Sequence, residues 1–182
     1  AVKIYAAKGR PSDNPLIVHI AEPADAEQIA YTTPLYYALA EKYMPGPLTI
    51  ILPKKAVIPD TVSGGLQTVA VRCPSHPAAR ELIRVSGHPI AAPSANSSGK
   101  PSPTTAAHVY EDLQGKIPLI LDGGACSIGV ESTVIALNAQ GDGCIILRPG
   151  AITREMLESP APYTRVLALN DTGRAILKKA KK

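Results

Sequence analysis

Apolar residues along this chain fall into short unbroken runs, and the stretches between those runs repeat an apolar position every three or four residues. Leu16-Ile17-Val18-His19-Ile20 and Leu48-Thr49-Ile50-Ile51-Leu52 have strand length, whereas residues 24–30 and 35–43 carry helical spacing. The same pattern predicts strands at 68–72, 89–92, 118–121, 133–137 and 144–147. Pro34 after Thr33 and Pro77 after His76 stand where a first helical turn accepts proline, and Gly87 is placed to cap a helix over 78–86. Ala1 begins inside an amphipathic helix, with Val2 and Ile4 to Ala7 leading into a turn at Lys8. Residues 138–143, Asn-Ala-Gln-Gly-Asp-Gly, have the glycine and Asx content of a hairpin loop. The expected class is therefore α/β, with a mixed sheet and flanking helices.

Composition narrows this little except at the C-terminus. The 182 residues suit one domain with a real core, and 45% hydrophobic with 19% charged residues is ordinary for a globular chain. No apolar run reaches the roughly 18 residues of a membrane span, and no signal-peptide pattern opens the chain. The pI near 9.0 belongs to the tail, because Arg174 to Lys182 holds five of the nineteen basic residues, leaving fourteen basic against fifteen acidic elsewhere. With no Phe or Trp, an aromatic platform for stacking nucleic-acid bases is also disfavoured. Cys73, Cys126 and Cys144 are widely spaced, so each reads as a small buried thiol in a reducing cytoplasm rather than as part of a disulfide or zinc site.

Four stretches carry candidate chemistry. Lys8-Gly9-Arg10-Pro11-Ser12-Asp13-Asn14-Pro15 sets two cations in a helix-to-strand turn stiffened by proline, aiming Lys8 and Arg10 outward, either as an anion site or as a solvated basic turn. His19 follows at a strand end, where a core histidine is the simpler reading. Arg72 ends a buried-looking strand and needs an anionic partner, either an internal carboxylate or a ligand. Residues 91–104, Ala-Ala-Pro-Ser-Ala-Asn-Ser-Ser-Gly-Lys-Pro-Ser-Pro-Thr, concentrate small hydroxyl and amide groups at a strand end, suited to close approach by a phosphate before a helix opening at Thr104. A second glycine-bearing loop, 129–133, contains Glu131 and Ser132. The sequence lacks triad, HExxH, CxxC and Walker patterns. Positioning and charge stabilisation remain, and these suit phosphoryl or nucleotidyl transfer.

Taken in order, Lys8-Gly9-Arg10-Pro11 with Asn14 to His19, Pro45-Gly46-Pro47-Leu48-Thr49, Val71-Arg72-Cys73-Pro74, Ala92 to Gly99, and Glu131-Ser132-Thr133-Val134 with Leu147-Arg148-Pro149-Gly150 resemble the YrdC-like family of threonylcarbamoyl-AMP synthases. The resemblance covers about residues 1 to 155 as one domain and leaves 156–182 as a linker or basic tail, with Ser159-Pro160-Ala161-Pro162 as the linker. It implies a twisted mixed sheet around a large, positively lined cavity. It also implies a nucleotidyltransferase joining L-threonine, bicarbonate and ATP, with Mg2+, to give threonylcarbamoyl-AMP and pyrophosphate for tRNA modification. On matching positions, Arg10, Asn14, Thr68, Ser94, Asn96, Ser102 and Arg148 would hold ATP, and His19, Arg72, the Ala92 backbone and Ser132 would hold L-threonine. Lys8 and Arg10 would act in catalysis. The family's N-terminal strand and its Pro-Thr-Glu-Thr-Tyr-Gly-like segment are not found before Ala1, so a truncated chain is expected. A non-catalytic RNA-binding module of the same fold, and a carbamoyl-adenylate domain of a hydrogenase-maturation protein, are the alternatives.

Overall fold

A computed structural model describes residues 1–158 and 165–167. Seven strands form one mixed sheet in the order β4-β1-β3-β2-β5-β6-β7. They are β1 (Ile17–His19), β2 (Leu48–Pro53), β3 (Thr68–Arg72), β4 (Ile90–Ala92), β5 (Thr133–Leu137), β6 (Gly143–Arg148) and β7 (Arg165–Leu167). The expected hairpin is present: β5 and β6 are antiparallel across the 138–143 loop, where Asn138 Oδ1 accepts from the Asp142 and Gly143 amides at 3.1 and 3.0 Å.

Helices start and stop for local reasons. Helix α1 (Val2–Lys8) ends at Gly9, whose φ of 62° lies in the left-handed region that a side chain rarely adopts. Helix α2 (Pro34–Tyr43) is capped by the Thr33 hydroxyl, which accepts from the Tyr36 amide at 3.2 Å, and has Pro34 in its first turn. Helix α3 (Asp60–Ser63) is a single turn, α4 (Pro77–Ser86) opens on the His76 ring and closes on Gly87, and α5 (Ala106–Leu113) opens on the Thr105 hydroxyl. Helix α6 (Arg154–Glu158) follows β6. No helix among the described residues is long and apolar enough to cross a membrane.

The sheet has two unlike faces. In β3, Val69 and Val71 are buried while Thr68, Ala70 and Arg72 are half-buried, and in β1 the buried Val18 lies between half-buried Ile17 and His19. Register aligns these alternations, since Val18 is opposite Val71, Ile17 opposite Ala70, and His19 opposite Arg72. Val18, Val69 and Val71 join Leu48, Ile50, Leu52 and Ile135 in one core cluster with Tyr5, Leu39, Val62 and Leu157 from the helices. Each such fully buried side chain contributes about 1.5–3 kcal/mol. The opposite face carries His19, Thr49, Ala70 and Arg72 beside the apolar Ile17 and Ile51.

Four expectations change. Residues 118–121 form no strand: Leu119 and Leu121 are 71% and 65% exposed, and no described strand pairs with them, so the apolar pattern has no ladder to join. The helical spacing at 24–30 folds as a tighter 3-10 segment over Pro23–Gln28, closed by reciprocal bonds between Glu22 and Asp25, and Ala30 leaves it to bridge Lys54. Cys126 is exposed on the segment after α5, whereas Cys73 and Cys144 are buried. Finally, the sheet extends past residue 155: β7 runs parallel to β6, and Leu157 of α6 is buried. The expected linker at 159–162 and the basic segment 174–182 lie outside the described residues.

Candidate active site

The half-buried face of β1 and β3 presents His19 and Arg72 side by side. Arg72 Nε donates to the Gly46 carbonyl at 3.1 Å, and the Gly46 amide donates to the Cys73 carbonyl at 2.8 Å, so the turn before β2 orients the guanidinium. Only glycine suits that turn, because a Cβ at position 46 would stand 2.4 Å from the Tyr43 carbonyl oxygen. Among the described residues Arg72 forms no ion pair with a carboxylate. Burial, and then the charge of Arg148, pull it below the usual guanidinium value. Burial, followed by the Arg72 charge, brings the His19 pKa down to about 4, so its ring is neutral near pH 7. Its Nδ1 is shielded from solvent with no hydrogen-bond partner among the described residues.

Arg148 lies across the sheet, opposite Val134, which is itself opposite Thr49. Its Nε and Nη2 donate to the Ser132 carbonyl at 3.1 and 2.9 Å, and Nη2 also reaches Ser132 Oγ at 2.9 Å. The Ser132 hydroxyl is 2.8 Å from Thr49 Oγ1, and both residues are buried. Glu131 completes this group: Oε2 is 2.7 Å from Arg148 Nη1, and Oε1 accepts from Ser102 Oγ at 2.8 Å.

The basic turn meets the 94–100 loop around a cleft of about 350 Å³ lined by Lys8, Arg10, Asn14, Ser94, Asn96 and Glu131, with Lys100 at its rim. Lys8 does not project outward as expected. It is 7% exposed, and its ammonium donates to the Ser94 carbonyl at 2.5 Å, to the Asn96 carbonyl, and to Asn96 Oδ1 at 3.3 Å. Helix α1 brings the ammonium against a loop whose carbonyls lack ladder partners, and pairing there outweighs hydration. Burial, then the neighbouring Arg10, lower its pKa. Asn96 in turn donates to the Ser97 and Lys100 carbonyls at 3.1 and 2.7 Å, closing the loop on itself. Arg10 is set by Asn14, whose Oδ1 accepts from Nη2 at 2.7 Å, and by the Pro15 carbonyl at 2.9 Å.

Cations thus line a polar cleft, and on the half-buried face of β1 and β3 stands a guanidinium with no carboxylate partner among the described residues. Such a surface can hold a polyanion and a small molecule with a carboxylate. No group of three or more His, Cys, Asp or Glu side chains able to hold a metal occurs among the described residues.

A protein-family model described as telomere recombination, that of Sua5, YciO and YrdC, matches residues 1–150. The chain belongs to the Sua5/YciO/YrdC family. It is 54% identical over 165 residues to the threonylcarbamoyl-AMP synthase of Pyrococcus abyssi, covering 90% of this chain and 48% of that protein. To the Bacillus subtilis threonylcarbamoyl-AMP synthase it is 55% identical over 159 residues, covering 86% and 45%. The crystal structure of P. abyssi Sua5 complexed with L-threonine superposes with a TM-score of 0.84 at 51% identity, covering 91% of this chain and 48% of that one. The chain spans about half the length of these relatives.

In this Sua5/YciO/YrdC chain the fold brings Lys8, Arg10, Asn14, Ser94 and Asn96 around one cleft, and Ser102 and Arg148 meet at Glu131 on its edge. His19 and Arg72 are neighbours, and Ala92 is two residues along β4 from Ile90, the partner of His19. Thr68 shares the Arg72 face at the other end of β3 and does not line the cleft. Two groups at work here are not among the expected site residues. Gly46 orients Arg72 through a carbonyl, which no side-chain pattern announces. Among the described residues Glu131 is the only acidic side chain lining the cleft, and a lone carboxylate beside cations has no sequence signature of its own.

Proposed function

We propose that this chain supplies the catalytic domain of a threonylcarbamoyl-AMP synthase, a nucleotidyltransferase that uses L-threonine, bicarbonate and ATP and serves tRNA modification in the cytoplasm. One observation carries the reading: Arg72 stands half-buried beside His19 on the face opposite the core, with no carboxylate paired to it among the described residues, and so is complementary to an amino acid's carboxylate.

On this reading Arg72 takes the threonine carboxylate, and the neutral His19 ring lies beside it on the threonine side. The Ser132 hydroxyl, engaged by Thr49 and Arg148, acts by fixing Arg148 as well as by lining the threonine side. Arg10, Asn14, Ser94, Asn96, Ser102 and Arg148 receive the nucleotide, and Lys8 shapes the loop while adding positive potential. Threonine's neutral amine bonds to the carbon of carbon dioxide and gives up one proton to form the carbamate; starting from bicarbonate, the carbon–hydroxyl bond breaks and the net by-product is water. A carbamate oxygen then bonds to the α-phosphorus as the bond to the bridging oxygen breaks, releasing pyrophosphate whose charge Arg10 and Arg148 stabilise. With one carboxylate in the cleft, this site suits a Mg2+ ion that enters on the triphosphate rather than one held by the protein alone.

The test is pyrophosphate release with ATP, L-threonine and bicarbonate omitted in turn, repeated for Arg10→Ala and Arg72→Ala. Release requiring all three, with ATP affinity lost in the first variant and threonine affinity in the second, is the expected result. Release independent of threonine or bicarbonate, or the reverse pattern of losses, overturns the reading.

A further inference from the structure

Glu131 is at odds with its surroundings. A cleft built to receive phosphate contains one carboxylate, and both its oxygens are engaged, Oε2 by Arg148 Nη1 at 2.7 Å and Oε1 by the Ser102 hydroxyl at 2.8 Å. These two partners come from different parts of the fold, Arg148 from the end of β6 and Ser102 from the loop after β4. Glu131 is therefore the strap across the cleft mouth. The strap is anchored behind, because residues 131–133 pack so closely on Gly150 that a Cβ there would lie 2.4 Å from the Glu131 carbonyl oxygen. Its carboxylate end is reachable from solvent, with the Glu131 and Arg148 side chains 44% and 37% exposed.

Resting on the reading of this cleft as a phosphate site, we propose that Glu131 is a displaceable counter-anion: its carboxylate occupies the donors of Ser102 and Arg148, holds them in place, and yields them to an incoming polyphosphate. Arg148 keeps its orientation when the carboxylate leaves, because Nε and Nη2 remain on Ser132. Glu131 is thus a positioning residue that sets nucleotide affinity by competition, selecting against ligands with too little negative charge to replace it.

Inorganic tripolyphosphate and ATP are titrated calorimetrically into the wild-type chain, Glu131→Gln, Arg148→Ala and the double variant, with thermal melts confirming that each is folded. Glutamine keeps the length and can still accept the Ser102 hydroxyl, but offers Arg148 no charge. The expected result is tripolyphosphate binding about five-fold tighter in Glu131→Gln, the upper end for a half-exposed ion pair, with the gain absent in the Arg148→Ala background. Glu131→Ala is expected to shift affinity in the same direction. A merely structural strap predicts weaker binding in both, and that outcome, or an unchanged affinity, overturns the proposal while leaving the cleft as a phosphate site. A gain that persists without Arg148 also overturns it, since diffuse charge then suffices. If neither tripolyphosphate nor ATP binds the wild-type chain, the reading of the cleft falls and the proposal with it.

Discussion

Acid should destabilise this protein through one imidazole. His19 titrates at 6.5 in an exposed chain and at about 4 when folded, because burial and the adjacent Arg72 both oppose its protonation. Above pH 6.5 the ring is neutral in both states and contributes no pH dependence. Between 6.5 and 4 the unfolded chain binds the proton and the folded one does not, so stability falls as pH falls, by up to about 1.4 kcal/mol per pH unit. Over the whole window the loss is about 3 kcal/mol, a large share of the stability of a domain this size. Other groups titrate in the same range, so the measurement is a difference. Urea unfolding of wild type and His19→Gln at intervals from pH 7.5 to 3 should show the wild type losing about 3 kcal/mol relative to the variant by pH 4, with the difference levelling off toward pH 3. Parallel curves, whatever their offset, would refute a desolvated neutral His19 and with it the neutral ring proposed beside the amino acid.

Other expectations follow from packing and reactivity. Gly150→Ala places a Cβ 2.4 Å from the Glu131 carbonyl oxygen and 2.6 Å from the Thr133 amide nitrogen, both backbone, and should cost about 1–3 kcal/mol in urea unfolding. Lys8→Met removes the donor that satisfies the Ser94 and Asn96 carbonyls, at a cost of about 1–3 kcal/mol, and should accelerate hydrogen exchange at the Ser98 amide, which is bonded to the Lys8 carbonyl at 2.9 Å. Of the three thiols, exposed Cys126 should react with a disulfide reagent at pH 8 within seconds to minutes. Cys73 and Cys144 should wait for unfolding, since burial raises both, Cys144 to about 11.

The strands were legible because most of them obey a simple rule, an apolar run with turn residues at its ends: β3 and β5 match their predicted bounds, and β2 and β6 differ by a residue or two. The rule fails at 118–121, where the same apolar content meets no ladder, because pairing is decided by what lies beside a strand rather than by what is in it. Candidate site residues were legible as charges out of place. Arg72, at the end of an apolar strand, announced a need for an anion, and among the described residues no carboxylate stands against it. The direction of Lys8 was not legible. Its spacing suited a solvated cation equally well, and only the approach of the 94–96 carbonyls, some ninety residues away in sequence, turns it inward. Gly46 and Glu131 act through contacts made across the sheet, which local pattern does not contain.

The two unlike faces of the sheet separate, along a single strand, the residues packed in the core from those on the face that carries His19 and Arg72. In β3 the division runs residue by residue, with Val69 and Val71 on one side and Thr68, Ala70 and Arg72 on the other. Neighbouring codons therefore answer to different demands. Drift at one can retune what is recognised while its neighbour holds the scaffold still, so a family built on this sheet can change ligands without having to reinvent its core.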